Sequence, residues 1–137
     1  MSTTIASMNI NAVHELGYIG SGITVLVLDS GFNVRHEVFE NLTVVDMWDF
    51  VHDDGNVSDE KGESSHGAHG TSVLGLIAGA KQGSYVGVAP GVSVILAKTE
   101  AMDYEERVEE GRPSFFPSLL FSPPLFFQLL SFLVLSI

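Results

Sequence analysis

HGAHGTSVLGLIAG, residues 66–79, joins a polar glycine-rich loop to an apolar segment with the length of a short buried helix. The spacing predicts that helix over 71–79, with His69 immediately before its first turn and the imidazole projecting from the entrance. Gly75 and Gly79 leave room for the helix to pack closely against neighbouring backbone. A histidine placed this way can accept a proton on one ring nitrogen if another group holds the second.

The partner for such a histidine lies upstream. ITVLVLD, residues 23–29, is a continuous β-branched and aliphatic run, as expected of a parallel strand buried on both faces. It ends in Asp29, and Ser30-Gly31 permit a sharp turn that leaves the carboxylate at the strand tip, where reactive groups of open parallel sheets gather. LTVVDMWDF (42–50) reads as a second strand, with Trp48 and Phe50 as core or sheet residues. VSVILAK (92–98) reads as a third, introduced by the turn Ala89-Pro90-Gly91. NAVHEL followed by Gly17 reads as a short helix closed by a C-terminal glycine. Strands alternating with helices indicate an α/β fold with a mostly parallel sheet.

The three segments resemble the signatures of subtilisin-like serine proteases. HGTSVLGLIAG is similar to that family's histidine motif at His69, Gly70, Thr71, Val73, Gly75, Ile77, Ala78 and Gly79. GSGITVLVLDSGF resembles its aspartate segment, and VGVAPGVSVILAKTE the strand that follows the histidine helix. The resemblance covers about Ile10 to Glu110. It implies a subtilisin-like three-layer fold, here incomplete, and acyl transfer on a polypeptide substrate by an Asp-His-Ser triad. Asp29 matches the catalytic aspartate and His69 the catalytic histidine. His66 also stands in an "HG" pair, but only His69 puts the following valine, glycine and Ile-Ala-Gly positions in register.

The triad's third member has no counterpart. The sequence contains one Gly-Thr-Ser, at 70–72, and Ser72 lies three residues after His69 on the same turn of helix, whereas a triad brings its serine in from a different segment, opposite the base. Ser114, Ser118, Ser122, Ser131 and Ser136 lack the glycines of a nucleophile turn, and no asparagine follows Asn56 to serve as an oxyanion donor. This chain is therefore expected to be inactive alone, a truncated serine endopeptidase. The alternatives are a non-catalytic paralogue that binds peptides or a partner, and a membrane-attached fragment.

Composition sets residues 111–137 apart from the domain portion, 1–110. After Arg112 no charged residue appears, and Phe, Ser, Pro and Leu supply 22 of the last 25 residues. All four can be written with pyrimidines in the first two codon positions, so this apolar tail reads as translated polypyrimidine sequence, non-homologous to the family. It is uncharged and long enough to reach across a bilayer, but Pro117, Pro123 and Pro124 interrupt it, and Leu125–Ile137 is too short to span.

The net charge of −11, with six Lys plus Arg, excludes a nucleic-acid partner, because phosphate neutralisation needs a basic patch. The absence of cysteine excludes disulfides, thiolate metal sites and a cysteine nucleophile. His66-x-x-His69 has no evident third zinc ligand. The acidic residues Asp46, Asp49, Asp53, Asp54, Asp59, Glu60 and Glu63 lack EF-hand spacing and read as a solvated loop, with calcium the one cofactor they leave open. No basic segment followed by an apolar run marks a secretory signal, and localisation stays open although the family is often secreted.

Overall fold

The computed structural model describes residues 8–60, 67–99 and 132–136. In chain order the elements are α1 (Ile10–Glu15), β1 (Thr24–Asp29), a 3-10 turn (Glu37–Phe39), β2 (Thr43–Asp49) and α2 (Gly67–Ala78). The short strands β3 (Ala80–Lys81) and β4 (Tyr85–Val86), then β5 (Ser93–Lys98) and β6 (Phe132–Ser136), follow. The main sheet has the order β2-β5-β1-β6, and all its pairings are parallel. β3 and β4 form a separate antiparallel ribbon. This is the mixed α/β architecture with a mostly parallel sheet that the sequence predicts.

The apolar runs become the two central strands because their side chains are covered on both sides. Alternate residues of β1 and β5 face opposite ways. Val25, Val27, Val94 and Leu96 join Phe32, Phe39, Val73 and Leu74 in the larger core on the α2 side. Leu26, Leu28, Ile95 and Ala97 form a second buried cluster on the other face, with Phe50 packed against it. Each fully buried Val or Leu contributes about 1.5–3 kcal/mol, so these two strands carry much of the described core. β2, at the edge, is largely exposed, and Trp48 is one of its solvent-facing residues.

Two helix ends are closed by local chemistry. Gly17, at φ +88°, follows α1 in the left-handed region. Its N–H bonds to His14 O at 2.8 Å and that of Tyr18 to Val13 O at 3.2 Å, a Schellman pairing. The last carbonyls around α2 are met by the GVA segment: Val88 N–H donates to Leu76 O (2.8 Å), Ala89 N–H to Ile77 O (2.7 Å) and Gly87 N–H to Gly79 O (2.7 Å). The stretch that sequence identifies as a turn before β5 thus also satisfies orphaned helix carbonyls.

Residues 111–137, distinct in composition, contribute β6, which pairs with β1 from Thr24↔Phe132 to Leu28↔Ser136. The remainder of that stretch lies outside the described residues, as does His66. Among the described residues no helix is long and apolar enough to cross a membrane.

Candidate active site

β1 ends where the sheet ends, and Asp29 is there, 1% exposed. Its carboxylate accepts from the Ser30 N–H at 2.7 Å and from the Ser30 hydroxyl at 3.0 Å, both on Oδ1. Asp29 O accepts from Thr99 N–H at 3.0 Å, which ties the tip of β1 to the residue after β5. Ser30 and Gly31 make the turn, as their small size suggests.

His69 reaches this carboxylate from α2. Its Nδ1 lies 3.1 Å from both Asp29 oxygens. A carboxylate only accepts, so Nδ1 carries the hydrogen and donates, and a neutral ring then has its lone pair on Nε2. The His69 side chain is 58% exposed while Asp29 is buried. A fixed anion thus stands behind a solvent-facing imidazole.

The helix begins earlier than the sequence suggests. It spans Gly67–Ala78, so His69 belongs to its first turn and does not precede it. Glycine at position 70 disfavours helix by about 1 kcal/mol, which makes the sequence read as a break there. The close approach to β1 overrides that preference. A Cβ at Gly70 would meet the Gly31 carbonyl oxygen, and would lie 2.9 Å from Asp29 Oδ1 and 3.0 Å from Asp29 Cβ. Thr71 Oγ1 accepts from Asn33 N–H at 2.8 Å and stitches the same turn to the loop after β1. Gly70→Ala is therefore expected to push the helix off the strand tip. The expected loss is about 1–3 kcal/mol of stability by urea unfolding, typical of overpacking, together with loss of the Asp29–His69 hydrogen bond seen by NMR.

Ser72 donates its hydroxyl to Ala68 O at 2.7 Å, one turn back on its own helix. Of the tail serines, only the backbone of Ser136 is described.

A second charged group, not anticipated from the sequence, occupies the same end of the sheet. Lys98 ends β5 and Asp49 ends β2, and both are 0% exposed. Lys98 Nζ lies 3.0 Å from Asp49 Oδ2 and 3.4 Å from the Ser58 carbonyl oxygen. Asp49 also accepts from the N–H groups of Val51 (2.7 Å) and His52 (3.0 Å), and its Oδ2 is 3.0 Å from His52 Nδ1. Burial raises the Asp49 pKa, but the bonds from His52, Lys98 and Val51 outweigh it and hold the carboxyl below its ordinary value. The hydrogen bond to Asp49 pushes His52 above its ordinary value, against the smaller effect of burial. The sequence signal was present: a lysine and an aspartate close otherwise β-like runs at the strand position that Asp29 occupies in β1.

Both shifts predict how stability follows pH. A depressed Asp49 stabilises fully above 3.8, its ordinary value, and that contribution is lost as pH falls through the lower folded value. A raised His52 stabilises fully below 6.5 and loses its contribution as pH rises through the higher folded value. The urea midpoint is therefore expected to be highest between these limits. His52→Ala is expected to flatten the alkaline decline and also to weaken the acid one, because the His52 ring is the largest of the partners that hold the Asp49 carboxyl low.

Asp49, His52 and Glu60 offer ligand atoms within 4.8 Å of one another. The Asp49 oxygens are already committed to an ammonium, an imidazole and two N–H groups, so the three form a charge cluster and not a cation cage. Elsewhere in the acidic run, Asp46 caps Met47 N–H and Asp54 caps Asn56 N–H.

The chain is 33% identical over 91 residues to the minor extracellular protease Vpr of Bacillus subtilis (strain 168), covering 62% of this chain and 11% of that protein. It is 36% identical over 83 residues to the major intracellular serine protease of the same organism, covering 60% and 25%. It is 32% identical over 89 residues to a dibasic-processing endoprotease of Schizosaccharomyces pombe, covering 64% and 12%. The chain thus spans a quarter or less of the length of these curated relatives. The subtilase family profile matches residues 20–110, a stretch that contains both strand-tip aspartates, α2 and β5. The chain belongs to the subtilase family.

Proposed function

We propose that this chain carries the orienting aspartate and the general-base histidine of a serine endopeptidase that cleaves polypeptides. The hydrogen bond from His69 Nδ1 to buried Asp29 is the observation that carries the reading. Asp29 fixes the tautomer and faces the charge that forms when Nε2 takes a proton; Nε2 is left for the nucleophile. Membership in the subtilase family supports the same assignment. Residues 1–110 are the N-terminal portion of the catalytic domain, and the family match ends at Glu110.

In this reading the 137 residues do not hydrolyse peptides alone. The hydroxyl of Ser72 bonds to its own helix, and no other segment has the nucleophile's sequence pattern. Without an attacking serine no acyl-enzyme forms, however well the base is held. Labelling by a serine-directed fluorophosphonate tests this. The 137-residue chain should remain unlabelled, whereas a form extended with a subtilase nucleophile segment should label in a His69-dependent way. Labelling of the short chain, or none in the extended form, would contradict the proposal.

A further inference from the structure

The sheet register places Asp29, Lys98 and Asp49 in one row across three adjacent parallel strands, with Lys98 the partner of both aspartates. All three follow the alternation that puts Val27 and Leu96 in the α2-side core. The row reads anion, cation, anion, and a histidine is joined to each end: His69 to Asp29 and His52 to Asp49. A buried ammonium requires a buried counter-charge, and Lys98 has one on each side. It is bonded to Asp49. Among the described residues the Asp29 carboxylate is engaged by Ser30 and His69.

We infer that Lys98 and Asp49 are positioning residues for the Asp29–His69 dyad: Asp49, backed by His52, holds the Lys98 ammonium on the β2 side of the sheet end and so keeps Asp29 available to the histidine. This rests on the reading of Asp29 and His69 as orienter and base. Three features of Asp49 make it the stronger competitor for the ammonium. Two backbone N–H groups fix its carboxylate, the His52 ring adds a donor, and the Ser58 carbonyl oxygen holds the same ammonium from the following loop. Glu60, which also acts on His52, supports it from outside. Were the anchor removed, the buried lysine would turn to the other aspartate in its row. Asp29 would then share its oxygens with an ammonium, and its hold on the Nδ1–H tautomer of His69 would weaken.

Nitrogen-15 NMR of the histidine rings in the 137-residue chain, at a pH where they are neutral, reads this tautomer directly and needs no proteolysis. In the unaltered chain His69 should be mainly protonated at Nδ1. Asp49→Asn is expected to lower the Nδ1–H to Nε2–H ratio of His69 by at least about tenfold, the scale of a hydrogen bond to a charged group. The double variant Asp49→Asn/Lys98→Met should restore it, because the ammonium that competes for Asp29 is then gone. His52→Ala, at a part-exposed site, should lower the ratio by about twofold. A ratio unmoved in both Asp49→Asn and His52→Ala overturns the inference, as does a double variant that fails to restore it. A normal tautomer response combined with an unlabelled extended enzyme would separate failure of the proposed activity from failure of this coupling.

Discussion

Replacing His69 with alanine in a form of this chain extended to include the nucleophile is expected to lower kcat by about 10⁶-fold, the scale known for removing the base from subtilisin-type triads, with KM nearly unchanged. Asp29→Asn should cost about 10⁴-fold. In the proposed mechanism the two differ because the histidine moves the proton, whereas the aspartate selects which ring nitrogen is available. An asparagine at 29 can keep the shape of the strand tip while presenting a donor where His69 needs an acceptor. Steady-state kinetics on a peptide substrate checks both. A change confined to KM would assign these residues to substrate binding and remove them from the chemistry.

Lys98→Met is expected to cost about 3–5 kcal/mol by urea unfolding of the 137-residue chain, because it strands a fully buried carboxylate. Asp49→Asn should cost less, since Lys98 retains a second aspartate in its row. The double variant Asp49→Asn/Lys98→Met should cost less than Lys98→Met alone, because a neutral pair leaves no uncompensated charge in the core. The sign of this non-additivity is the test. A Lys98→Met loss below about 1 kcal/mol would show that His52 and the backbone N–H groups satisfy Asp49 without the ammonium.

Periodicity and motif spacing made the central strands and the Asp29–His69 pair legible. β1 and β5 are uninterrupted apolar runs, and burial on both faces of a parallel sheet requires such runs. His69 and Asp29 were legible because their flanking small residues mark a turn and a close helix approach, and because the segments resemble the subtilisin-like signatures in order. The start of α2 was not, since Gly70 disfavours helix locally and a tertiary contact, absent from any local window, decides the outcome. The Lys98–Asp49 pair escaped for a related reason. Each residue looks ordinary at the end of its own strand, and only the β2-β5-β1 order brings the two together. The exposure of Trp48 follows likewise from β2 taking an edge position.

The parallel register also governs when the dyad is assembled during folding. Thr24 must find Ser93 before β1 has a neighbour on that side, whereas a hairpin strand meets its partner within a few residues. Closing so large a loop precedes the contacts that reward it, and sheets built on such distant pairings fold slowly. The larger core, through which α2 rests on β1, includes Val94 and Leu96 of β5 and Val92 just before it. The contact of His69 with Asp29 thus rests on a core that needs β5 in place, and neither β1 nor α2 secures it alone.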